Sequence, residues 1–253
     1  MELFIYIYLF LVGITLGSFY NVVGLRLPKG ESIVTPRSHC TTCDRTLHAT
    51  ELIPVFSYLF QRGKCKGCKT KISALYPTME LLTGLLFAYS YYHFGFTAEL
   101  VVALLLISLL VIIVVSDLSS MLILNKVLLF FLPLFVILRF TIAPLEPIWD
   151  APLGAAVGFG LLFLLAIVSK GGMGGGDIKL YGVIGFALGL MGTLTSLFIA
   201  AMLGLVVAVI NLAFKSFDRK REIPFGPYIA VGALIAYFFG QQLVDSYRAL
   251  FFF

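Results

Sequence analysis

Charge is what this chain has least of. Of its 253 residues, 12% are Asp, Glu, Lys or Arg, against 60% hydrophobic, and the mean hydropathy is +1.02. A soluble domain of this size carries about 25% charged residues, so the scarcity excludes one and implies a polytopic membrane protein. Cysteine is also sparse, and all four lie between residues 40 and 68. There is no convincing internal repeat, no low-complexity linker and no G-x-G-x-x-G stretch. The last absence leaves no dinucleotide-binding fingerprint.

What is present is apolar sequence in eight runs: 3–24, 75–94, 98–116, 121–142, 151–169, 178–191, 194–214 and 224–247. Each approaches the roughly 20 residues that cross a hydrocarbon core, except the short, glycine-rich 178–191. The expected fold is therefore an all-α polytopic membrane protein of about eight transmembrane helices. The first run exceeds a removable signal peptide's core, and "GSFYN" is a poor cleavage site, so it is read as a span.

Lys and Arg set the orientation. Residues 25–75 hold nine of the eighteen, with three acids. Placing this loop in the cytoplasm puts Lys126, Lys170, Lys179, Lys215, Arg219, Lys220 and Arg221 there too, leaving Arg139 and Arg248 outside. The basic loop suits anionic lipid headgroups. It carries no nucleic-acid reader motif, so no nucleic acid is expected. Arg26 is read as a headgroup anchor of the first span. The charged turn "KSFDRKRE" is read as a solvated loop, and "PFGPY" at 224–228 as the start of the last span.

The cysteines form Cys40-Thr-Thr-Cys43 and Cys65-Lys-Gly-Cys68. Two C-x-x-C pairs with 21 residues between them have the spacing of a four-thiolate structural zinc site. Disulfides and free redox thiols compete, but disulfides rarely persist in the cytoplasm. So small a loop has little core, and a metal would supply much of its folding energy. His39 is a possible ligand or a solvated neighbour; His48 and His93 have no partner pattern.

The stretch "KGGMGGGDIKLY" at 170–181 packs five glycines into six residues before Asp177. It is no P-loop, since an acid stands where phosphate would bind and no strand precedes it. Of thirteen acids, Glu80, Asp117 and Asp177 fall at or within the membrane boundary, where ionisable groups are costly and usually functional. Glu99, Glu146, Asp150 and Asp245 are read as lying in or near external loops. The assumed topology brings Asp117, ending the third run, and Asp177, opening the sixth, to one cytoplasmic edge. An aspartyl protease needs such a pair: one ionised carboxylate activates water and its protonated neighbour polarises the scissile carbonyl. Gly174, Gly175 and Gly176 would let an extended substrate backbone approach the acids. A cation or proton pathway and purely structural helix caps remain open.

"GMGGGDIKL" resembles the G-x-G-D signature of the type IV prepilin peptidases. The resemblance extends over nearly the whole chain: "GSFYNVVGLRLP" at 17–28, the tetracysteine segment, "LIPVFSYLFQRGKC" at 52–65, "YPTMEL" at 76–81 and "PFGPYIAVGA" at 224–233. It implies a bacterial inner-membrane enzyme that cuts the basic leader of type IV prepilins or pseudopilins after glycine, on the cytoplasmic side. It also implies N-methylation of the new terminus with S-adenosylmethionine, in pathways of pili, protein secretion or competence. The catalytic pair would be Asp117 and Asp177. Methyl transfer would be associated with the cysteine segment and the Gly63-Lys64 before its third cysteine; Glu80 is a further candidate, and also reads as a carboxylate reaching to the basic loop. The chain departs from the pattern at Ile123-Leu124, where Ile-Pro is typical, which removes an expected rigid break after Asp117. The domains expected are 1–24 (first span), 25–75 (cytoplasmic zinc domain) and 76–253 (aspartyl peptidase bundle). The rival from another class is a transporter or channel with a zinc-stabilised module, although its acids belong nearer the bilayer midplane.

Overall fold

The structure, a computed structural model, describes residues 2–170, 172–213 and 224–251. The "KSFDRKRE" turn at 215–222, including Asp218 and Glu222, lies outside the described residues. Eight α-helices account for most of the described chain: α1 (Glu2–Arg26), α2 (Phe56–Phe60), α3 (Leu75–Phe94), α4 (Ala98–Ser120), α5 (Asn125–Thr141), α6 (Asp150–Val168), α7 (Gly175–Ala213) and α8 (Gly226–Phe251). Two isolated β-bridges, His39 with Thr46 and Lys64 with Lys71, are the strand-like pairings among the described residues. Five helices (α1, α4, α6, α7 and α8) are long and apolar enough to cross a membrane. The chain divides into two compact units, Met1–Ser120 and Met121–Phe253. This division groups α3 and α4 with the cysteine segment.

In the first unit α4 is the central rod. Leu106, Leu109 and Ile113 are fully buried, as are Val102 and Val115. A helix apolar on every face belongs in such a position. Against it lie α1 and α3, which approach closely because α1 carries Gly13-x-x-x-Gly17. A Cβ on Gly13 would stand 2.7 Å from the Gly84 Cα, and one on Gly17 2.9 Å from the Glu80 Cα. Small residues at this spacing let backbones meet where apolar side chains gain nothing over lipid. Tyr20 of α1 and Ser108 of α4 share a buried hydrogen bond of 2.6 Å.

In the second unit α7 is not one rod. Gly189 sits at φ 73, ψ −177, outside helical space. Tyr181 Oη lies 3.3 Å from Ser196 Oγ, yet fifteen residues of straight helix span about 22 Å. The chain therefore folds back at Gly189, and residues 175–188 and 190–213 form a helical hairpin. Gly158 of α6 touches both arms, with Thr193 Cγ2 2.8 Å and the Tyr181 carbonyl 2.9 Å from where its Cβ would be.

Opposite charges cap the fold-back. Arg139, 1% exposed, donates to the Ala187 carbonyl from Nε (2.9 Å) and from a guanidinium NH2, and to the Ala143 carbonyl (3.0 Å). Asp150 Oδ2 accepts the Leu190 N–H at 3.3 Å. A cation thus meets the C-terminal end of one arm and an anion the N-terminal end of the next, as the helix dipoles favour. The sequence placed both charges towards the external side without naming a partner for either; a helix break leaves orphan carbonyls and N–H groups that charged side chains satisfy.

The break expected to be lost after Asp117 is present by another route. Helix α4 stops at Ser120, Met121 takes a left-handed φ of 52, and α5 starts after Leu124. Helix α8 begins at Gly226, where the Phe225 carbonyl accepts from Tyr228 and Ile229, as "PFGPY" anticipates.

Candidate functional site

The two C-x-x-C pairs build matching turns. Cys40 donates its N–H to Arg45 and accepts from Asp44 N–H; Cys65 donates to Thr70 and accepts from Lys69 N–H. Asp44 (φ 52) and Lys69 (φ 60) occupy the same left-handed corner, one residue after the second cysteine. Each C-x-x-C pair thus folds as a tight knuckle that offers two sulfurs to one metal ion.

All four Sγ atoms lie within 4.8 Å of one another. Cys40 Sγ and Cys68 Sγ are 3.7 Å apart, far beyond a disulfide bond. Sulfurs at the corners of a tetrahedron with metal bonds of about 2.3 Å are separated by roughly 3.8 Å, so the set fits a metal ion. The electrostatics agree. N–H groups of Cys68 and Gly67 hold the Cys65 thiol down to about 6, and the Thr70 hydroxyl and N–H lower that of Cys68. Although the Arg45 N–H favours its thiolate, Cys43 is pushed up to about 11 by burial and by the three neighbouring sulfurs. Four thiolates do not coexist here without a compensating cation. His39 stands outside the cluster, its Nδ1 3.1 Å from the Arg37 carbonyl.

Arg45 and Glu51, unremarked in the sequence, fasten this module. The guanidinium makes two hydrogen bonds to the carboxylate, at 3.0 and 2.7 Å, and His48 N–H adds a third at 3.0 Å. Arg45 holds the Glu51 carboxyl down to about 2. The guanidinium also interacts electrostatically with Cys65, bringing positive charge to the sulfurs. Arg26 donates to the carbonyls of Ser32 and Pro36, and so organises the module's entry.

Glu80 is 8% exposed in the second turn of α3, against Gly17. Its Oε2 accepts the Val55 N–H at 2.7 Å. Val55 has φ 63, ψ −55, and Phe56 N–H reaches back to the Pro54 carbonyl at 2.6 Å. This is the rare, strained γ-turn, here at a β-branched residue. Gly63, at φ 66, packs on Tyr58, whose hydroxyl would stand 2.8 Å from an added Cβ. Lys64 is exposed and lines a second cavity of about 300 Å³, apart from the larger one that Glu80 lines.

Asp117, 5% exposed, lies one turn before the end of α4. Asp177 stands in the first turn of α7, where the helix N-terminus favours its negative charge, and its N–H donates to the Gly174 carbonyl at 3.1 Å. The two belong to different units. The three glycines are not equivalent. A Cβ on Gly174 would lie 2.9 Å from Asp177 Oδ2 and one on Gly176 2.7 Å from Ile123, whereas Gly175 faces open space. Lys179 donates to Asn125 Oδ1 at 3.1 Å, joining the signature to the start of α5.

Residues 11–94 match the bacterial peptidase A24 N-terminal domain, and residues 104–209 the type IV leader peptidase family. The chain is 44% identical over 239 residues to the prepilin leader peptidase/N-methyltransferase of Bacillus subtilis (strain 168), covering 94% of this chain and 96% of that one. The proteins of the same name from Stutzerimonas stutzeri and Pseudomonas aeruginosa are 32% and 33% identical; the matches cover 93% and 94% of this chain, and 91% of each relative. No solved structure matches the chain. With both of its halves matched in order and relatives aligned nearly end to end, the chain belongs to the type IV leader peptidase family.

Proposed function

We propose that this chain removes the leader of type IV prepilins and N-methylates the exposed terminus. The observation that carries the reading is 44% identity over 94% of the chain to a prepilin leader peptidase/N-methyltransferase. The transporter alternative has no support in any comparison.

Asp117 and Asp177 are proposed as the catalytic pair. The ionised carboxylate takes a proton from water, and the water oxygen attacks the carbonyl carbon of the leader's last glycine. The protonated carboxyl donates to the carbonyl oxygen as charge develops there, and the expelled amine receives a proton as the C–N bond breaks. Supporting this are Asp117's burial close to the end of α4, Asp177's place at a helix N-terminus, and the open space at Gly175 for a substrate backbone. In an eight-span topology, counting the arms of α7 as two, α5 and α6 return the chain to the face where α4 ends. The cysteine segment and both acids then lie on the cytoplasmic side of a bacterial inner membrane, facing prepilin or pseudopilin precursors.

Cys40, Cys43, Cys65 and Cys68 would hold one structural zinc ion, folding residues 25–75 and leaving no open coordination position. S-adenosylmethionine supplies the methyl group for the second reaction. Glu80 and Gly63 belong to the elements around the larger cavity, which makes them the stronger positions for that activity; Lys64 stands at the smaller one.

The test is mass spectrometry of a prepilin-like peptide incubated with the purified chain, with and without S-adenosylmethionine. A cut after glycine, followed by a methyl increment only with the donor, is expected. An intact peptide under conditions where the Bacillus subtilis protein cleaves it would refute the reading.

A further inference from the structure

A cavity of about 500 Å³ lies in the first unit, between the cysteine module and the adjoining ends of α1 and α3. That volume is within the roughly 300–1,000 Å³ of small-molecule sites. Its wall contains a polar group with no partner among the described residues. Asn21, 1% exposed, donates from Nδ2 to the Tyr76 carbonyl at 3.1 Å, while its Oδ1 accepts from no described residue. Turning the amide over would set oxygen against carbonyl oxygen, so the orientation is fixed. A buried acceptor left bare costs about 1–3 kcal/mol, and it seeks a donor from whatever fills the space.

Glu80 lines the same cavity and bonds Ser18 and the strained turn at Val55. Strain held by a carboxylate at a cavity wall marks a position that stability alone does not explain. Lys29 and Lys71 add positive charge elsewhere on the wall, and Tyr58 and Tyr76 add flat apolar faces. The lining therefore offers acceptors, cations and rings together. A small zwitterion bearing a cationic centre and an aromatic ring matches all three.

We infer that this cavity binds the methyl donor S-adenosylmethionine, with Asn21 Oδ1 and Glu80 receiving its positively charged end. The inference rests on the methyltransferase reading and deepens it by locating the donor. It also gives Gly63 a physical role. Any side chain there would press on Tyr58, so glycine at 63 keeps that wall in place from behind.

The experiment is isothermal titration of the full-length, zinc-loaded chain in detergent with S-adenosylmethionine, and separately with a peptide beginning in phenylalanine. Glu80→Gln keeps an acceptor for Val55 N–H and removes the charge, and Tyr58→Leu removes a ring without touching Glu80. Each should weaken donor binding, Glu80→Gln on the order of 10- to 100-fold for a lost charged hydrogen bond. Zinc content and the unfolding midpoint should match wild type. If the wild type methylates and both variants bind the donor unchanged, the donor sits elsewhere; the location falls while the activity stands. If the wild type neither binds the donor nor methylates, both readings fall. Selective loss of peptide affinity in Glu80→Gln would assign the cavity to the acceptor amine and overturn the proposal.

Discussion

Tyr181 and Ser196 stand on the two arms of α7, and their side chains meet at 3.3 Å because α7 reverses at Gly189. A single residue makes this turn, and its backbone is one that L side chains avoid. The first prediction follows. Gly189→Ala should cost about 1–3 kcal/mol for a backbone conformation that only glycine adopts readily, and more because its Cβ would fall on the Asp150 carboxylate. A lowered unfolding midpoint in detergent checks this. Asp150→Asn should be milder, about 0.3–1 kcal/mol, since it removes a charge from a helix N-terminus and keeps an acceptor.

The cysteine module supplies the second. Purified protein should carry about one zinc per chain with all four cysteines as ligands. Cys40→Ser or Cys68→Ser should lower the metal content and open residues 38–70 to proteolysis. A metal-free chain whose loop resists protease as well as the holo form would show that the ion does not fold it.

How far these features were legible depends on the range of the interaction. The knuckles were readable because a thiolate site needs both ligands of each pair three residues apart. Helix α3 begins and ends where its apolar run does, and the near-contact of runs 178–191 and 194–214 anticipated the hairpin. What stayed hidden depends on partners distant in sequence. Val55 in a strained turn contradicts its own propensity and is held by Glu80, 25 residues away. The partner of Arg139 stayed hidden because its acceptor, the Ala187 carbonyl, is freed only when α7 breaks.

Acid should act on the module through Glu51. Its folded value of about 2 lies below the ordinary 4.5, so the Arg45–Glu51 pair contributes fully above pH 4.5 and is lost as pH falls toward 2. Zinc-loaded protein digested with pepsin across this range should lose protection of residues 38–70 progressively. Glu51→Gln should flatten that dependence and show weaker protection already at pH 5.

The glycine loop separates self-packing from substrate contact. Gly175 has open space around it, so Gly175→Ala should leave the unfolding midpoint unchanged. If the loop admits a substrate backbone, the same change should still reduce cleavage, by as much as about 100-fold for an ångström of displacement. Normal cleavage by Gly175→Ala would restrict the loop's role to Gly174 and Gly176, whose neighbours are Asp177 and Ile123.

The pair of aspartates carries the firmest expectation. Two carboxylates sharing one proton titrate as a unit, so cleavage should be bell-shaped in pH, falling when both are protonated and again when both are ionised. Asp117→Asn and Asp177→Asn should each abolish cleavage while expression and zinc content persist, because the amide keeps the shape and loses the proton transfer. Asp→Glu at either position should lose on the order of 100-fold, since the extra methylene moves the carboxylate by about an ångström. Asp44→Asn provides the contrast. Asp44 is an exposed corner residue at φ 52, a conformation asparagine tolerates, and its loss of charge should leave cleavage at the wild-type rate. Sustained cleavage by Asp177→Asn, measured on a prepilin-like peptide by mass spectrometry, would remove this residue from the chemistry and with it the proposed division of acid and base.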